Sequence, residues 1–462
     1  MERDSTLTRG VKSVRGLYGR YGRWGKKLGA AITDQALFAG SNFIVNWLLA
    51  LWLPKEEFGV VVVAFTWFLL IQTFYEALTV SPMSYYGSGK YSKYFRRYLG
   101  FIFQAHVFLS TMIGIGFGIA ALLIYADQPL LGTAMAGTAV ASVFLLARGL
   151  IRQPFYILSN PQGSVVGGAI YLVVNVVCTI LLHLTNLLTP FTALIGMGIA
   201  GLVTTIVQVY MLKPEFKTTE ANAELTRRMI IKDHWSYGKW SLSSRSLAWL
   251  ATNFGVLFIP LVIGFSGSAT LRAIMNLVQP IFQANAALIT LLVPTFVRTY
   301  QGQGKGALNS SVKKIISIVI VVTGGYFLFL TLFGRPLIHL LYGGTYDEEA
   351  TLAFIMCVAA LPMITTISRV LDAALSGMGR VKLSFQSKII PTTLTVILDI
   401  FLVTAFGPIG FAVESLLTAS LTLIQLVGYY LRAGKTPRGK NDPLETPPIV
   451  TEPSAPVEVA AL

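Results

Sequence analysis

The chain has 462 residues, 54% hydrophobic and only 12% charged. That balance excludes a soluble globular domain and describes a polytopic membrane protein. A net charge of +15 invites nucleic-acid binding, but the charges gather in short segments between apolar spans, which makes them a topology signal instead.

Twelve spans are predicted: 30–53, 59–84, 99–124, 132–155, 164–184, 190–212, 241–263, 269–297, 315–334, 351–372, 383–406 and 409–431. An even number puts both termini on one side. On the other side fall only Lys55, Arg272 and Arg335 of the 36 Lys and Arg. The excess of positive charge then predicts that both termini are cytoplasmic. No cleavable signal is expected, because the first apolar run follows a long basic stretch and is too long for a signal core.

Residues 1–29 form a basic arm whose apolar positions suit an anionic leaflet, so anionic membrane lipids are an expected partner. Gly16, Gly19, Gly22 and Gly25 weaken any helix there, and a loosely ordered arm is the alternative. The first span places Gln35, Asn42 and Asn46 on one face, with Asp34 expected as an N-cap or first-turn carboxylate. The second carries Gln72, Glu76 and Thr79 on one face, with Glu76 near enough to the cytoplasmic end to be solvated. Spans three to six are more evenly apolar. Arg148 and Arg152 are expected to anchor topology, with lipid phosphate as the alternative contact, and Asn175 and His183 are expected interhelical donors.

Residues 213–240 form a charged connector between two six-span lobes, 30–212 and 241–431. The seventh span opens with Ser241, Ser244 and Arg245. The eighth, 269–297, carries Arg272, Asn276, Gln279 and Gln283, stepping by four, three and four. At about 100° per residue these share a face roughly 60° wide. A central charge facing lipid costs about 2.5–3.5 kcal/mol, so this face is expected to look into a cavity. Snorkelling of Arg272 to the headgroups is the competing reading, and Pro280 and Pro294 are expected to bend the helix. Further on, Asp347, Glu348 and Glu349 read as a solvated turn, and Asp372 is expected to pair with Arg369. Asp399 and Glu414, either side of Gly407-Pro408, either approach each other around a proton or cation or stand independently. Residues 432–462, rich in Pro and Glu, are expected to be disordered. Cys178 and Cys357 sit in apolar spans with no disulfide framework, and the four histidines show no ligand spacing, so neither metal nor cofactor is expected.

The halves repeat each other. Ser41-Asn42-Phe43 parallels Thr252-Asn253-Phe254, and Leu158-Ser159-Asn160 parallels Leu375-Ser376-Gly377. Six spans per half imply an axis along the membrane normal, which pairs spans 1 and 2 with 7 and 8, the four with polar stripes.

Four stretches, Asp34 to Phe43 running on to Phe58-Gly59, Leu340 to Tyr346, Ala374 to Lys382, and Phe406 to Ala412, resemble the multidrug/oligosaccharidyl-lipid/polysaccharide exporter superfamily, nearest to its bacterial polysaccharide transporters. The resemblance implies two rocking lobes around a cavity lined by helices 1, 2, 7 and 8. It implies a flippase for polyprenyl-diphosphate-linked oligosaccharide in the bacterial cytoplasmic membrane, with a polysaccharide polymerase and a chain-length regulator as partners. Arg272 would hold the diphosphate. Gln35, Asn42, Asn46, Gln72, Glu76, Arg245, Asn276, Gln279 and Gln283 would complete the substrate path, and Asn253, Asp399 and Glu414 an ion-coupling site. A cation-coupled multidrug antiporter of the same superfamily is the alternative. A membrane glycosyltransferase, polymerase or ligase is disfavoured, since the outer loops are short and no Asp-x-Asp motif occurs.

Overall fold

The computed structural model describes residues 29–30, 32–158, 160–216, 226–378 and 380–433. The predicted basic arm and Pro-rich tail therefore lie outside the described residues, except at their inner edges. The described chain is helical, with no strand among those residues. Its helices are α1 (32–52), α2 (Lys55–Leu78), α3 (Val80–Ser88), α4 (Phe95–Tyr125), α5 (Pro129–Ile157), α6 (Gln162–Leu184) and α7 (Pro190–Leu212) in the first half. In the second half come α8 (Arg227–Ile263), α9 (Phe265–Asn276), α10 (Gln279–Tyr342), α11 (Leu352–Gly377), α12 (Val381–Phe406) and α13 (Pro408–Arg432). Among the described residues nine helices are long and apolar enough to cross a membrane. The nine do not include α1, α8, or α9 with the first part of α10, and these carry most of the predicted polar stripes. Together with them the count is compatible with the twelve spans expected.

Within the first half α5 packs against α4 and α7. Lipid chains are as apolar as leucine, so such packing rests on close van der Waals contact between small residues. Ala134, Thr138, Ala141 and Ser142 of α5 and Ala193, Gly198 and Ala200 of α7 supply it, all buried. In the second half α10 packs on α11 and α12 on α13. The halves meet where α2 lies against α8 and α9. There a Cβ on Gly59 would stand 1.9 Å from the Phe265 carbonyl oxygen, so only glycine permits that approach.

Four elements depart from the sequence reading. The second span breaks at Thr79 (φ −118°, ψ −60°), ahead of Pro82, giving α2 and α3. The connector, read only as a charged link, is helical over 227–240 and continuous with the seventh span. The eighth span is not one helix: α9 stops at Asn276, and α10 starts at Gln279 with Pro280 in its first turn. That proline supplies no N–H to the preceding turn, and Leu277 and Val278 close on carbonyls three residues back. Finally, α10 runs through spans 8 and 9 and bends at Gly304 (φ 75°, ψ −172°).

The basic loops gather at one end of the bundle, here the basic end. At the opposite, far end α1 turns into α2 and α12 into α13.

Candidate functional site

A cavity of about 210 Å³ lies between the halves. Its polar lining is Asn46 of α1, Thr66 of α2, Asn253 of α8, Ser268 and Arg272 of α9, and Gln279 of α10. Val61, Phe65, Met197, Met275 and Phe411 are among its apolar walls. Among the described residues Arg272 is the one charged residue in the lining. Its Nε donates to Asn46 Oδ1 at 3.2 Å, across the two halves. Asn46 Nδ2 is itself held by the Asn42 carbonyl, at 2.7 Å. Among the described residues no carboxylate forms an ion pair with Arg272. Its side chain lines the cavity and is bonded across it to Asn46.

The stripe predicted on the eighth span does not stay together. Asn276, in the last turn of α9, is buried and absent from the lining, and its Nδ2 donates to Tyr342 Oη at 3.4 Å. Gln283 is half-buried and absent from the lining, as is Asn42, and Gln35 is exposed. Thr66 and Ser268, which the sequence reading missed, take their places. Threonine and serine inside apolar spans carry no signal of their own, because both bond to helix carbonyls, as Thr66 does to Val62 at 2.7 Å.

About two turns toward the basic end sits a second polar layer. Gln72 Nε2 donates to Glu76 Oε1 at 2.8 Å, and Arg245 Nη1 reaches Glu76 Oε2 at 3.2 Å. Glu76 is thus bridged across the halves rather than simply solvated. Beyond it α8 docks on the first half. Asp233 accepts from Lys90 at 2.7 Å and Tyr91 at 2.5 Å, and His234 Nε2 meets Tyr98 Oη at 2.6 Å. Burial pushes the Asp233 carboxyl up, but the Lys90 and Tyr91 hydrogen bonds outweigh it and hold the group below its ordinary value. Burial holds the His234 imidazole below its ordinary value, so it is neutral at pH 7. Its Nδ1 lies 3.2 Å from the Leu78 carbonyl, which makes Nδ1 the donor and Nε2 the acceptor from Tyr98.

The far end is bridged as well. Lys55 pairs with Glu349 at 2.6 Å and lies over the Tyr346 ring at 5.1 Å. Trp47 Nε1 donates to the Leu341 carbonyl at 2.9 Å. The acidic turn is therefore not merely solvated, since Asp347 also contacts His339 at 2.6 Å.

Behind the cavity wall Asp399 of α12 and Glu414 of α13 are buried, at 0% and 1% exposure. A Cβ on Gly255 would stand 2.8 Å from Asp399 Oδ1, so the carboxylate lies against the α8 backbone, two residues from Asn253. Neither Asp399 oxygen has a hydrogen-bond partner among the described residues, and Glu414 Oε1 has none. Asn253 itself faces the cavity and donates to the Trp249 carbonyl at 3.1 Å.

Three local readings are corrected. Asp34 stands near the start of α1, as expected, but its partners come from α5: it is buried at 0% exposure and paired with Arg152 at 2.5 Å and with Tyr156. Arg148 is buried between aromatic rings rather than set at a membrane surface. Asp372 pairs with Lys388 at 2.8 Å and with Ser384, not with Arg369.

No family model and no curated protein matches the chain by sequence. Solved structures do match by fold. An inward-facing multidrug MATE transporter aligns with a TM-score of 0.66 at 15% identity, over 87% of this chain and 96% of its own. The lipid II flippase MurJ, inward closed, aligns at 0.65 and 14% identity over 88% and 89%. A transporter of the MOP superfamily from Pyrococcus furiosus aligns at 0.63 and 14% over 89% and 97%. The chain is thus a multi-pass membrane protein with the fold of MOP-superfamily transporters, a fold seen both inward-facing and outward-facing.

Proposed function

We propose that the chain is a flippase. It carries a polyprenyl-diphosphate-linked oligosaccharide from the inner to the outer leaflet of the bacterial cytoplasmic membrane, for surface polysaccharide or exopolysaccharide synthesis, by alternating access of the two halves. The observation that carries this reading is Arg272, the sole charge lining the cavity, without a carboxylate partner among the described residues. A buried guanidinium left unneutralised favours an anionic guest, and its planar donor fork suits a diphosphate. A cationic drug would meet repulsion there. Asn46, Asn253 and Gln279 offer donors and acceptors to sugar hydroxyls.

Pockets for drug-sized ligands run to about 300–1,000 Å³. A cavity of about 210 Å³ is therefore a contracted state, with bridges at both ends that must open in turn. The prenyl chain stays in lipid, between the separating halves. The basic end is assigned to the cytoplasm by its excess of Lys and Arg, and Glu76, Gln72 and Arg245 then form the inner gate. Asp399 and Glu414 take the coupling cation or proton. Those same carboxylates favour the second reading, a cation-coupled antiporter of small molecules.

Leaflet-resolved labelling of lipid-linked glycan in cells separates the two. Inner-leaflet trapping in both a deletion and an Arg272→Ala variant that still reaches the membrane is the expected result. Normal outer-leaflet glycan in the deletion, in a strain without a second flippase, would sink the flippase reading in favour of the antiporter.

A further inference from the structure

A second guanidinium lacks a partner, and it lies outside the central cavity. Arg148 of α5 is only 8% exposed. Its guanidinium carbon sits 3.8 Å from the Tyr171 ring centroid on α6 and 4.8 Å from that of Phe38 on α1. No hydrogen bond or ion pair holds its N–H groups among the described residues; of the acid beside it, Asp34, Oδ2 is held by Arg152 through Nε at 2.8 Å and Nη2 at 2.5 Å, and Oδ1 has no hydrogen-bond partner among the described residues. Asp34 is also the sole carboxylate residue within α1, α5 and α6. Two arginines thus share one aspartate, and the cluster keeps one uncompensated positive charge.

Ring contacts cover the faces of a guanidinium and leave its edge, where the donors are, to be satisfied in plane. Removing such a group from water without an acceptor is costly, so the arrangement calls for an oxyanion from outside the protein. The place says which. Arg148 lies nine residues from the basic end of α5, and at about 1.5 Å per residue this is within roughly 14 Å of it. That depth is reached by the headgroup phosphates of the adjoining leaflet when an arginine draws one in.

We propose that the guanidinium edge of Arg148, between Phe38 and Tyr171, binds the phosphate of an anionic membrane lipid, while Asp34 keeps Arg152 from joining the grip. The site is independent of what the central cavity carries.

The test is native mass spectrometry of the purified full chain titrated with phosphatidylglycerol, with phosphatidylethanolamine and inorganic phosphate as comparators. Wild type should hold one phosphatidylglycerol in preference to phosphatidylethanolamine and keep it against excess inorganic phosphate. Arg148→Gln should weaken that binding about tenfold, the loss of one charge-assisted contact, and Arg148→Lys should fall between. Asp34→Asn releases Arg152 and should tighten binding several-fold, a gain that a purely structural role for the cluster would not produce. Unchanged phosphatidylglycerol binding in a folded Arg148→Gln protein would overturn the site, and full displacement by inorganic phosphate would overturn the lipid as its ligand. Should Arg148→Gln fail to fold, Asp34→Asn decides: weakened or unaltered binding there would also overturn the proposal.

Discussion

Asp34 in the first half and Asp399 in the second are both buried at 0% exposure, yet their surroundings differ. Asp34 has an arginine and a tyrosine on it, Arg152 and Tyr156. Among the described residues Asp399 has neither, and its one charged neighbour is another acid, Glu414. A carboxylate with a built-in counter-charge can stay ionised in every conformation and ties α1 to α5. A carboxylate without one must take its counter-charge from a proton or a cation, so its state follows whatever is bound. The first arrangement is a fastener and the second has the make-up of a coupling site.

The largest effect should come from stripping the fastener. Arg152→Ala takes the hydrogen-bonded cation from a buried carboxylate, and such losses run to about 3–5 kcal/mol. Thermal unfolding in detergent should show it, with much of the loss recovered in the Arg152→Ala, Asp34→Asn double variant. No recovery would mean that packing, not charge, is what the pair supplies. The same neutralisation in the other half should have the opposite sign. Asp399→Asn with Glu414→Gln removes two like charges from one site and should stabilise the protein by about 1–3 kcal/mol, while abolishing any ion dependence of transport in proteoliposomes. Destabilisation by that double change would break the contrast.

Two outlying contacts sharpen it by showing what charge is worth near water. His234 is held neutral by burial, below its ordinary value of 6.5. A depressed histidine gives stability that is full above pH 6.5 and is lost as pH falls below it, because the unfolded chain takes up the proton first. Unfolding scans should show that loss, and His234→Gln should flatten it by about 1 kcal/mol. Smallest of all, Lys55 and Glu349 are 27% and 40% exposed. Lys55→Met should cost under about 1 kcal/mol, and its effect should appear instead as easier opening of the far end in cysteine accessibility measurements.

Much of the candidate site was legible because polar residues inside apolar spans stand out. Arg272, Asn46, Gln279 and Asn253 all line the cavity. The reading failed where it assumed one rigid rod. A break of two residues before Pro280 parts Arg272 and Asn276 on α9 from Gln279 and Gln283 on α10, and Asn276 is taken by Tyr342. It failed again where a local rule met a longer-range competitor. Arg369 is correctly spaced on the same helix to pair with Asp372, but such pairs are worth only a few tenths of a kcal/mol. Lys388 and Ser384, arriving with α12, take the acid instead.

The sequence by itself determined the membrane class, the helical fold and the clustering of basic charge at one end, since these follow from hydropathy and charge counted along the chain. Only the tertiary structure decided which charges are paired. Arg152 lies 118 residues from Asp34, and Arg272 lies 226 from Asn46. Over such distances in the chain, neighbours are chosen by how helices pack and where they bend, and no residue spacing records that choice.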